Sequence, residues 1–156
     1  MKGLRIIKRH SAVVRRQKEA GHKKLYGLLL IVDDSADDAS IMHKGSGSVL
    51  NRLFLSGRHH GISTIVSVQK LTLVSVPIRV NLTGLLMFRA KARIERDAAE
   101  NFVSALLNPE EFRQLYNAAV REPYSFLYVK LNAKSFNETF FIRFEHPVSW
   151  DESEEE

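Results

Sequence analysis

Two adjacent carboxylates, Asp33 and Asp34, close the apolar run Leu28-Leu-Leu-Ile-Val32. A short run of this kind, without alternation, reads as a strand buried on both faces, as in a parallel sheet. Acids at the C-terminal end of such a strand stand where open α/β sheets bind their ligands. Phosphoryl transfer needs such groups, because Mg²⁺ prefers hard oxygen ligands and the attacking water needs a positioned acceptor. The pattern is also cheap, since Asp ends many strands simply by favouring turns. Further along, Gly57-Arg58-His59-His60-Gly61-Ile62-Ser63 leads into Thr-Ile-Val-Ser-Val-Gln69. A helix ending in Gly-Arg, then a β-branched strand tipped by Gln69, sets an amide beside the acid pair. There it could hydrogen-bond a γ-phosphate and a water. A third block, Pro77-Ile78-Arg79-Val80-Asn81, precedes the apolar stretch Gly84 to Arg89.

The elements that must position these residues follow from the remaining pattern. Residues 8–24 are polar and basic and predict a surface helix that ends near Gly21. Residues 35–48 are rich in Asp, Ser, Ala and Gly and predict a loop. Helical spacing of Val49, Leu50, Leu53, Phe54 and Gly57 predicts a helix over 48–58. Strands are expected over 62–68 and 84–89, with a short helical turn opened by Pro77 between them. Two helices follow over 94–106 and 109–120, the second capped by Asn108 with Pro109 in its first turn. Residues 124–131 and 139–144 predict a hairpin at a sheet edge. Strands alternating with helices argue for an α/β architecture, expected as one domain over 1–148 with an acidic tail over 149–156.

Composition narrows the classes. The chain has 156 residues, 44% of them hydrophobic, which excludes wholesale disorder. It has no Cys, which removes disulfides, thiolate zinc sites, iron–sulfur clusters and a Cys nucleophile. The longest uninterrupted apolar run, Leu28 to Val32, is far too short for a bilayer span, and the N-terminus lacks the apolar stretch of a secretory signal. A soluble intracellular protein is expected. The net charge of +5 hides an uneven arrangement: residues 1–150 carry 23 basic and 13 acidic side chains, net +10. Nine basic residues against one acid fall within the first 24, among them Arg15, Arg16, Lys23 and Lys24. A basic body points to a polyanion such as nucleic acid, or else to a solvated helix face.

Other residues read as less specific. His59 and His60 are adjacent, so their side chains diverge, and with His43 they make a poor metal set. The aromatic residues Phe136, Phe140, Phe141 and Phe144 read as core and edge-strand packing rather than as a base-stacking platform. No Gly-x-Ser-x-Gly occurs, so serine-hydrolase chemistry has no support.

The three blocks together resemble the DNA-packaging ATPases of large DNA viruses, the poxvirus-type branch of the FtsK–HerA superfamily. The residues that carry the resemblance are Asp33-Asp34, Gly57-Arg58-His59, Ile62-Ser63, Gln69 and Ile78-Arg79-Val80-Asn81, within residues 25–131. The resemblance implies part of a RecA-like P-loop NTPase core, a mostly parallel sheet with a C-terminal edge hairpin. It also implies ATP and Mg²⁺, double-stranded DNA as partner, a ring of identical subunits and no membrane. The setting it implies is an infected cell, in the cytoplasm or viral factory, or the virion. Asp33 would then hold the Mg²⁺ shell, Asp34 would polarise the water and Gln69 would sense the γ-phosphate. Arg58 would act as an arginine finger on a neighbouring subunit, with Arg79 as the second candidate.

One departure stands out. The family's Gly-x-x-x-x-Gly-Lys-[Ser/Thr] loop is absent, and His43-Lys44-Gly45-Ser46-Gly47-Ser48 does not replace it, because its Lys precedes the glycines and it follows the acids. The expectation is the C-terminal portion of the ATPase, or a split or truncated gene product, inactive alone, with a separate chain carrying the loop as a candidate partner. The alternative is a non-enzymatic nucleic-acid-binding or regulatory module that has lost the loop.

Overall fold

The computed structural model describes residues 2–33 and 48–148. Asp34, the expected loop over 35–47 and the acidic tail lie outside the described residues. Contacts divide the chain into two compact units, Met1–Asn81 and Leu82–Glu156.

The first unit opens with α1, Lys2–Glu19, longer at its N-terminal end than the polar pattern alone implied. Gly21 ends it in the left-handed conformation, φ 74°, so that its N–H and that of His22 reach back to the carbonyls of Lys18 and Gln17. Ile7, His10, Ser11, Val14 and Gln17 form its half-buried stripe. It rests on a 3-10 turn, Gly57–His60, where Ser11 Oγ lies 2.9 Å from His60 Nδ1. Strand β1, Leu28–Val32, pairs in parallel with β2, Ile62–Val66, and α2, Val49–Ser56, lies between them in the chain. Parallel neighbours need a crossover connection, and α2 is the helix of it that falls among the described residues.

Leu28, Leu30 and Val32 of β1 share a face with Ile62, Thr64 and Val66 of β2, and all six are buried or half-buried. The opposite face is open: Leu29, Ile31 and Ile65 are 54%, 64% and 53% exposed. The expected burial on both faces is therefore corrected to one. An apolar run reports that a strand can be covered twice, whereas the available helices decide how often it is. Past β2, a 3-10 turn at Leu71–Leu73 and the short helix α3, Val76–Arg79, complete the unit.

The second unit is a four-stranded antiparallel sheet in the order β3-β4-β5-β6, with β3 Gly84–Phe88, β4 Phe126–Lys130, β5 Phe140–Ile142 and β6 His146–Pro147. Helices α4, Arg93–Val103, and α5, Pro109–Ala119, connect β3 to β4. With both helices in this connection, β4 returns antiparallel to β3. This is why the expected mostly parallel sheet is not seen: among the described residues only β1 and β2 pair in parallel. The fold is mixed α/β. The β4–β5 hairpin forms as expected, but the two-residue β6 with Pro147 takes the edge beyond it.

Asn108 caps α5 in a full capping box: its Oδ1 accepts from Glu111 N at 2.9 Å while its own N–H donates to Glu111 Oε2 at 3.0 Å. Phe112, Leu115, Tyr116 and Ala119 of α5 are buried on the same side of the unit as Leu127, Val129 and Phe140. Tyr116 Oη donates to Phe88 O and accepts from Ala90 N, both at 2.7 Å, which ties α5 to the end of β3.

Candidate functional site

The parallel register pairs Leu28 with Ile62 and Val32 with Val66, so both strands end at one edge. Ser67 N donates to Val32 O at 2.8 Å, extending the ladder one step past the strands. Asp33 therefore emerges beside Ser67, and Gln69 follows two residues later at the same edge. Both side chains are exposed. Asp34 lies outside the described residues. A single exposed carboxylate suits Mg²⁺ in a nucleotide site, which takes one or two carboxylates beside water and phosphate oxygens. Among the described residues no group of three or more His, Asp or Glu side chains could hold a metal ion. The glycines of the 43–48 stretch lie outside the described residues, and no phosphate-binding loop motif occurs in the sequence, so the triphosphate has no cradle in this chain's motifs.

Arg58 is at the other edge. It lies in the 3-10 turn that precedes β2, is exposed, and its carbonyl accepts from Gly61 N at 3.2 Å. Gly61, at φ 68°, turns the chain from this 3-10 turn into Ile62, opposite Leu28. Five residues of strand at about 3.3 Å each put roughly 16 Å between the two edges.

Arg79 has a different surrounding. Its Nε donates to Val74 O at 2.8 Å, and Nη2 reaches Leu71 O at 3.4 Å and Thr72 O at 3.5 Å. The guanidinium thus clamps the turn that precedes its own helix. Asn81 Nδ2 likewise bonds back to Pro77 O at 2.9 Å. In this block the Arg and the Asn both hold α3 to its neighbours.

Sequence reasoning missed the polar pair beneath this segment. Asn51 of α2 is buried, and its Oδ1 accepts from Ser75 Oγ at 2.6 Å, joining α2 to the start of α3. The only signal was a polar residue inside an apolar helical stripe. On α1, Arg15 and Arg16 are exposed, Arg15 pairing loosely with Glu19 at 3.6 Å, and Lys23 and Lys24 are exposed beyond its end. The aromatic expectation divides: Phe140 is core, while Phe136 and Phe144 are exposed.

No protein-family model, curated protein or solved structure matches the chain. Among the described residues no helix is long and apolar enough to cross a membrane.

Proposed function

We propose that this chain is the Walker B and sensor part of an ATP-driven translocase of double-stranded DNA, of the kind that packages a viral genome. In this reading it is part of a RecA-like core, works as a ring of its own copies in an infected cell or virion, and receives its phosphate-binding loop from a segment outside these 156 residues. The observation that carries the reading is the in-register parallel pair, which brings Asp33 and the approach to Gln69 to one sheet edge and leaves Arg58 at the other. Bound Mg²⁺–ATP would supply the transferable phosphoryl group and the charge that orients it. Asp33 serves as the carboxylate toward the ion, and Asp34 accepts the proton of the attacking water. Gln69, with a donor and an acceptor on one amide, registers the terminal phosphate and the water together. Arg58, at the edge roughly 16 Å from that of Asp33, is free to offer its guanidinium to an adjoining subunit.

The test is turnover with and without the missing loop. The purified chain should not hydrolyse ATP alone, and adding the loop-bearing segment should yield hydrolysis that Asp34→Asn abolishes. Arg58→Ala in that assembly should abolish turnover while leaving nucleotide binding nearly intact. Mixing Arg58→Ala and Asp34→Asn subunits should restore part of the rate at interfaces where the intact halves meet. Hydrolysis by the chain alone, or an assembly indifferent to Asp34, would refute the assignment.

A further inference from the structure

The face of the second unit's sheet turned away from α4 and α5 is aromatic and open. Phe88 of β3 and Phe126 and Tyr128 of β4 project there, opposite the buried Met87, Leu127 and Val129. The rings form a chain of edge and tilted contacts. Phe88 lies 5.1 Å from Phe126 and Phe126 5.1 Å from Phe144, while Phe144 lies 5.2 Å and Phe141 5.8 Å from Tyr128. Much of this surface meets solvent, with Phe88 at 56% and Phe144 at 62% exposure. Gly84 makes the surface low at one end. A Cβ there would come within 2.9 Å of Tyr128 Cε2, so the bare glycine lets the tyrosine ring lie down across β3.

Two strained residues border this face. Tyr124 at φ 60° and Arg143 at φ 57° are the only described residues other than glycine with positive φ. That region is costly for residues with a Cβ, and such outliers cluster where ligands are clamped. Arg143 N donates to Phe126 O at 2.9 Å, and the turn that follows folds Phe144 back over Phe126 and Tyr128. Tyr124 stands in the turn two residues before β4 and is 96% exposed. An aromatic ring held in strain and left wholly in solvent gains nothing from the fold itself.

Two basic residues lie along or beside the ring surface. Lys130 follows Tyr128 in register, with only a 4.0 Å contact to the exposed Glu138, and the exposed Arg143 stands at the turn. We propose that this face binds single-stranded nucleic acid, with bases stacking on Phe88, Tyr124 and Phe144 and phosphates meeting Lys130 and Arg143. Stacking requires an uncovered base face, which a duplex keeps inside its own stack, and it tolerates any sequence. The proposal stands apart from the ATPase reading and needs no nucleotide.

The experiment is fluorescence anisotropy of a labelled oligothymidylate with the full chain, in a background where Arg15, Arg16, Lys23 and Lys24 are Ala so that α1 does not contribute. Phe88→Ala, Tyr124→Gly and Phe144→Ala should each weaken binding about tenfold. Tyr124→Gly is the informative variant, because glycine relaxes the positive φ and thermal stability should hold or rise while affinity falls. Lys130→Ala should reduce the slope of log affinity against log salt by about 0.7. Binding unchanged in Tyr124→Gly and Phe144→Ala overturns the proposal. So does a wild-type chain that sediments as a dimer which Phe144→Ala dissociates, because the face is then an interface between copies.

Discussion

Replacing Arg79 with Ala should loosen the end of the first unit, because its guanidinium holds the turn before α3. The magnitude follows from its three hydrogen-bonding approaches. A hydrogen bond from a charged donor contributes about 1.5–3 kcal/mol. The 2.8 Å bond from Nε to Val74 O is the one strong interaction, and the half-buried side chain places its value at the lower end, about 1.5 kcal/mol. The approaches of Nη2 at 3.4 and 3.5 Å sit at the limit of hydrogen-bond range and add little. Removing about 1.5 kcal/mol corresponds to an approximately tenfold rise in local opening. Native-state hydrogen exchange reads it directly at Ile78, Val80 and Asn81, whose N–H groups bond to Ser75 O, Val76 O and Ile78 O. Those amides should exchange about tenfold faster in Arg79→Ala. Arg79→Lys should recover less than half of the protection, because an ammonium cannot copy the fork of donors. Exchange within about twofold of wild type in Arg79→Ala would refute the clamp and return Arg79 to the candidates for a finger in trans.

Two further outcomes can be measured with the same chain. Converting Arg15, Arg16, Lys23 and Lys24 to Ala should weaken binding to duplex DNA and flatten its salt dependence, by up to about 0.9 in log–log slope for each phosphate no longer neutralised; an unchanged slope would make this charge a solvated face. Asn108→Ala removes the side-chain cap of the capping box and should cost about 1–2 kcal/mol in thermal unfolding of the second unit, with Asn108→Asp retaining most of it; an unshifted transition would show the box to be dispensable.

Local chemistry was legible in the sequence wherever neighbours along the chain decide the outcome. Gly21 and Asn108 ended and began helices as their types require, and Pro77 and Pro109 stood in first turns. The parallel pair was readable from an apolar strand, a helical stripe and a β-branched strand in succession. The opposite placement of Asp33 and Arg58 follows from that register, because a residue just before β2 lies at the edge opposite to the one where β1 ends.

What the tertiary structure alone decided concerns faces and partners. Nothing in Leu28 to Val32 says that Leu29 and Ile31 meet water, since hydrophobicity records capacity for burial and not the helices available to supply it. Periodicity does not carry the antiparallel course of β4 after α4 and α5. The bonds of Arg79 to the carbonyls of Leu71, Thr72 and Val74 appear only once the turn is folded beneath it. The aromatic residues were visible as types, but their division between core and surface was set by strand register. Adjacent strand residues face opposite ways, so Phe140 is buried while Phe88, Phe126 and Tyr128 line the open face, and the turn after β5 adds Phe144 to it.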